Sequence, residues 1–151
     1  MEIILFCAII AMLLKIAYLD YKYHYIADLD ILLGTVPALA LQGLRHGILN
    51  GFLGMVLGGM CAGLVYCLAK LRYGYTAFGG GDVTLFLFLG SIVGKQGFAG
   101  WSVFFSLFFL LCLVSLHLAK KLSSVKAFPL APFLNIATFF WLISQIIAGQ
   151  Y

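Results

Sequence analysis

The sequence predicts an all-α membrane protein, a polytopic bundle of about six spanning helices forming one domain over residues 1–151. Three observations carry that expectation. The 151 residues are 64% hydrophobic and 9% charged, with a mean hydropathy of +1.12, whereas a soluble domain carries about 25% charged residues. A soluble fold of this length also keeps too much surface to hide so much apolar area. Apolar runs long enough to cross a bilayer recur along the chain, and the cations gather in alternate connections.

The first run, Ile3 to Leu19, follows Glu2 and has no basic leader or small-residue cleavage site before Asp20, so it reads as a retained span rather than a signal peptide. A second run covers Leu29 to Leu44 and stops before Arg45 and His46. The third, Gly51 to Ala69, is rich in glycine, and Gly59 with Gly63 makes a GxxxG pair that permits close helix contact. Val83 to Gly94 gives only about 12 residues, about 18 Å as a helix, against a hydrocarbon thickness of about 30 Å. To span, it must borrow the glycines before it or be shielded by protein. Phe98 to Ala119 and Phe128 to Ile147 complete the set, with five spans and one re-entrant segment as the competing count. Cys7, Cys61, Cys67 and Cys112 lie inside these runs without CxxC or histidine spacing and read as small core hydrophobes.

Alternation of the connections divides the cations unequally. One side holds Lys22, Lys70, Arg72, Lys120, Lys121 and Lys126, joined by Lys15, which can snorkel there from the first span. The other holds Arg45 and Lys95. Seven against two is a positive-inside bias, placing the first side in the cytoplasm and both termini outside. The same alternation puts Asp20, Asp82 and the "AFPLAPFL" entry to the last span on that cytoplasmic face. The modest net charge of +4 is thus spent on orientation and implies no nucleic-acid partner.

Asp20 and Asp82 each sit hard against a hydrophobic run, where an ionisable group is costly and is a functional candidate. Two carboxyl groups brought together can share a proton, so that one activates a water while the other polarises a carbonyl, given a dry site. Capping of its own helix is the competing reading of each acid. Asp28 is placed as the N-cap of the second span, and Asp30 faces either the bundle interior or the headgroups. Gly79, Gly80 and Gly81 precede Asp82 and allow positive φ and close backbone approach. A simple hinge would use them equally well, and no GxxxxGK[ST] phosphate loop is present. Pro129 and Pro132 suggest a rigid, non-helical lead-in to the last span. Asp20, His24 and Asp28, four apart, would line one face if that segment were continuously helical, but it joins two spans, and neither a metal nor a cofactor is expected.

These features together resemble the type IV prepilin (leader) peptidases, membrane aspartic proteases of the GxGD class. "DYKYHYIA" is similar to the family's first-aspartate segment, "GGGDVTLF" to its second, and "FPLAPFL" to the proline-containing entrance of its last span. The resemblance implies that Asp20 and Asp82 are the catalytic pair, that Gly79, Gly80 and Gly81 shape the active-site loop, and that Pro129 and Pro132 support it. It implies prepilin or pseudopilin substrates, cut on the cytoplasmic side of the bacterial inner membrane after the Gly preceding the mature N-terminus, for pilus or secretion-system assembly. Ala27 stands where the family usually has Pro, and Thr84 where Lys is common. The zinc-binding cytoplasmic domain of longer, methylating members has no counterpart here, so the chain resembles a short, peptidase-only form. The sequence sets no oligomeric state. A small proton- or ion-coupled transport subunit, using the two acids as ion ligands, and a structural membrane anchor are the rival classes.

Overall fold

The computed structural model describes residues 1–73, 79–118 and 130–147. Within them the chain is all-helical: α1 (Glu2–Tyr23), α2 (Asp28–Arg45), α3 (Ile48–Tyr73), α4 (Gly80–Leu118) and α5 (Ala131–Ile147). Gly94 breaks α4, with φ 69° and ψ 170°. The rings of Phe86 and Phe105 lie on opposite sides of this break, yet their centroids are 5.7 Å apart. In a straight helix, 19 residues would separate them by about 28 Å. The helix therefore doubles back, and residues 80–93 and 95–118 form two antiparallel arms.

The resulting six helical segments alternate in direction. Antiparallel neighbours are shown by Glu2 with Arg45 and Lys15 with Asp30 across α1 and α2, and by Asp20 with Ala131 and Leu13 with Asn135 across α1 and α5. Among the described residues, three helices carry windows long and apolar enough to cross a membrane: Glu2–Tyr23, Ile48–Leu68 and Gly80–Leu107, the last containing the Gly94 reversal. Ala131–Ile147 is apolar but shorter. The described residues thus form an all-helical chain with three helices suited to crossing a membrane, fewer than the expected six spans.

The first arm of α4 is the centre of the bundle. Leu85, Phe88, Leu89, Ile92 and Val93 are all buried, in one core with Ile31, Ala38 and Leu41 of α2 and with Ile9, Leu13 and Ile16 of α1. At 14 residues, counting the borrowed Gly80 and Gly81, this arm is about 21 Å long. Protein on several sides covers the short segment, which satisfies the requirement anticipated from its length.

Small residues let α3 approach it. A Cβ on Gly54 would overlap the Gly90 carbonyl and the Gly94 backbone, and one on Gly58 would overlap the Phe86 carbonyl. The operative GxxxG pair is therefore Gly54 and Gly58. Among the described residues, nothing lies within 4 Å of a Cβ on Gly63, and one on Gly59 meets only the Leu87 side chain. The cysteines also depart from expectation: Cys7, Cys61 and Cys67 are exposed on the outer surface, while the Cys112 side chain lies outside the described residues.

The Gly94 reversal leaves backbone groups to be satisfied. In a continuous helix the Gln96 amide would donate to the Ile92 carbonyl. Here the Ile92 carbonyl accepts from Gln42 Nε2, and the Gln96 amide donates to Asn50 Oδ1 at 3.2 Å. Asn50 Nδ2 in turn donates to Gln42 Oε1 at 2.9 Å. Two side-chain amides from α2 and α3 thus replace the missing helical hydrogen bond.

Candidate active site

Asp20 stands three residues before the end of α1, on the buried stripe that begins at Ile9, Leu13 and Ile16. It is 7% exposed. Helix α1 continues to Tyr23 and ends on His24, which adopts left-handed geometry (φ 50°) and donates its amide to the Asp20 carbonyl. This ending removes the single helical face on which Asp20, His24 and Asp28 could have aligned. The Asp20 carboxylate reaches across the bundle, where Oδ2 accepts from the Ala131 amide at 2.9 Å. Ala131 is the first residue of α5, so Asp20 satisfies an orphan donor at that helix's N-terminus.

Pro132 is the second residue of α5, inside its first turn and not in a non-helical lead-in as expected. A proline there removes a donor that would otherwise need a partner. Pro129 lies outside the described residues.

Asp82 is the third residue of α4. Its Oδ2 accepts from the Gly79 amide at 3.2 Å, and its own amide donates to the Gly79 carbonyl at 3.1 Å. This is one half of a capping box, so the capping role weighed for Asp82 is present. Among the described residues, positive-φ glycines are Gly47 and Gly94 only, so Gly79, Gly80 and Gly81 do not use the freedom anticipated for them. Gly80 and Gly81 instead form the first turn of α4. Gly81 favours close approach, because a Cβ there would lie 3.2 Å from Ile26 Cβ, a tight contact.

Ile26 belongs to the connection after α1, so the first-aspartate segment rests on the second. Asp20, through Ala131, and Asp82, through the contact of the adjacent Gly81 with Ile26, therefore lie at the same end of the bundle. Each uses Oδ2 for a backbone amide. Among the described residues, the other oxygen of each has no protein partner. Among the described residues, one end of the bundle therefore presents two carboxyl groups, held by separate helix N-termini, with one oxygen apiece outside those amide hydrogen bonds.

Two nearby acids differ from expectation. Asp28 is the first helical residue of α2, exposed, while Ala27 is the N-cap and no side chain caps it. Asp30 faces the interior at 5% exposure and pairs with Lys15 at 2.7 Å. Lys15 is thus engaged at the helix seam instead of snorkelling alone. Sequence spacing missed both this pair and the Gln42–Asn50 pair. Their one signal was polar groups inside apolar runs. A cavity of about 450 Å³, lined by His46, Asn50, Gln96, Gly97, Trp141 and Gln145 among others, lies at the opposite end and contains none of the predicted site residues.

Comparison of the chain with protein-family models, with characterised proteins and with solved structures gives no match.

Proposed function

We propose that this chain is a membrane aspartic endopeptidase in which Asp20 and Asp82 share one proton and activate a water. The observation that carries the reading is the placing of these two carboxyl groups at one end of the bundle, each oriented through one oxygen by a backbone amide at a helix N-terminus. In the proposed reaction the ionised carboxylate takes a proton from water as the oxygen attacks the scissile carbonyl. The protonated partner donates to the carbonyl oxygen, giving a tetrahedral diol. Collapse of that diol breaks the C–N bond: the leaving amine receives the proton held by the first carboxylate, and a diol hydroxyl returns its proton to the second as the carbonyl reforms. Oxygens facing away from the backbone amides suit these transfers, while the amides fix carboxyl orientation.

The resemblance in the two aspartate segments supports leader removal from type IV prepilin or pseudopilin precursors as the reaction. The charge asymmetry supports six crossings, with the carboxyl groups at the cytoplasmic face of a bacterial inner membrane. The substrate helix does not pack on the glycine stripe of α3 at Gly54 and Gly58, because the first arm of α4 already occupies it. Purified chain, incubated in detergent with a prepilin, should cut after the Gly that precedes the mature N-terminus. Ion-dependent flux in proteoliposomes without cleavage would replace this reading with that of a transport subunit.

A further inference from the structure

The ion pair between Lys15 and Asp30 lies on the seam between α1 and α2, at the end of the bundle that holds Asp20 and Asp82. Lys15 precedes Asp20 by five residues, and Asp30 follows Ile26 by four. Only residues 24–27 separate the two helices. That connection leaves α1 through the left-handed His24 and enters α2 at Ala27, whose carbonyl accepts from the Asp30 and Ile31 amides at 3.0 and 3.3 Å. So short a link, bonded at both ends, moves with the first turn of α2. Ile26, within it, bears on Gly81, and one residue later stands Asp82.

We propose that the Lys15–Asp30 ion pair positions the aspartate pair: it holds the start of α2 against α1, and Ile26 thereby seats the turn that carries Asp82 beside Asp20. Neither Lys15 nor Asp30 touches the reacting atoms in this scheme. The proposal rests on the peptidase reading for its kinetic readout alone.

The two partners are unequal. Asp30 has a side chain 7% exposed, whereas that of Lys15 is 54% exposed. Removing Lys15 strands a buried carboxylate, which is relieved by moving the start of α2. Removing the charge on Asp30 leaves a lysine that extends to the interface. Lys15→Met is therefore the damaging change, Asp30→Asn the mild one, and the double variant recovers.

A cross-linking series tests the seam without reference to activity. In a chain whose native cysteines are replaced, Ile26→Cys and Gly81→Cys are oxidised in detergent; the 3.2 Å between the two Cβ positions is close to the about 3.5–4.5 Å of a disulfide. We expect efficient closure with Lys15 present, well under half of that yield with Lys15→Met, and recovery with Lys15→Arg and with Lys15→Met plus Asp30→Asn. With Ile26 and Gly81 restored, Lys15→Met should lower kcat for prepilin cleavage about tenfold or more at unchanged KM, and Lys15→Arg should restore it. Lys15→Gln repeats the comparison if Lys15→Met does not accumulate. An unchanged cross-linked yield overturns the proposal, as does a rise in KM at constant kcat. Absence of cleavage by the native chain would instead remove the peptidase reading, and the cross-linking series would still decide the positioning role.

Discussion

Substituting Gln42 by leucine tests the account of the α4 reversal. Gln42 is 3% exposed, and leucine fills a similar volume, so the change removes hydrogen bonds with little loss of packing. Two bonds disappear: the one donated to the Ile92 carbonyl and the one accepted from Asn50 Nδ2. Interhelical hydrogen bonds in a membrane protein contribute about 0.6 kcal/mol on average, giving about 1 kcal/mol as the lower bound. Loss of a hydrogen bond to a desolvated group costs up to about 3 kcal/mol, giving about 6 kcal/mol as the upper bound for the two. The Gln96 amide is committed to Asn50 and does not replace Gln42 as donor to the Ile92 carbonyl. Equilibrium unfolding in detergent, on wild type, Gln42→Leu, Asn50→Leu and the double variant, reads the loss directly. The double variant should cost less than the sum of the singles, since the Gln42–Asn50 bond is counted in both. A Gln42→Leu loss below about 0.5 kcal/mol, within the range of ordinary surface substitutions, would refute the idea that this amide closes the broken helix.

Two further substitutions separate packing from local propensity. Gly54→Ala and Gly58→Ala place a methyl group against the backbone of α4, and each should destabilise the chain by about 1–3 kcal/mol in the same unfolding assay. Gly63→Ala meets nothing within 4 Å and should be neutral or stabilising by up to about 1 kcal/mol through helix propensity. Ala27→Pro should fold normally and gain about 0.4–1 kcal/mol, because Ala27 already has φ −82° and ψ 126° at an N-cap, close to what proline requires. Loss of folded protein in Ala27→Pro would show that the connection has another geometry.

Much of the site was legible because membrane topology reduces position to parity. Once the runs and cations set alternating connections, Asp20, Asp82 and the entry to the last span had to share an end, and the contacts of Asp20 with Ala131 and of Ile26 with Gly81 bring those segments together. The short fourth run likewise announced a segment that needs protein around it. What spacing could not supply was helix phase and partner. GxxxG occurs at Gly54–Gly58 and at Gly59–Gly63, and only the rotation of α3 about its axis decides which pair meets α4. A stripe of small residues at Gly51, Gly54, Gly58 and Ala62 was the available clue. Lys15 and Asp30 lie 15 residues apart on different helices, so their pairing depends on how α1 and α2 dock. The glycines before Asp82 were read for conformational freedom, whereas Gly81 acts through its missing Cβ.

The most direct test of the central claim is cleavage of a prepilin by purified wild type, Asp20→Asn, Asp82→Asn and the double variant, measured in one detergent with folding checked by the unfolding assay. Groups that act as one catalytic unit are strongly non-additive. The account predicts that each single variant folds and loses nearly all cleavage, and that the double variant is no worse than either. Retention of processing by a folded Asp20→Asn or Asp82→Asn chain would contradict it.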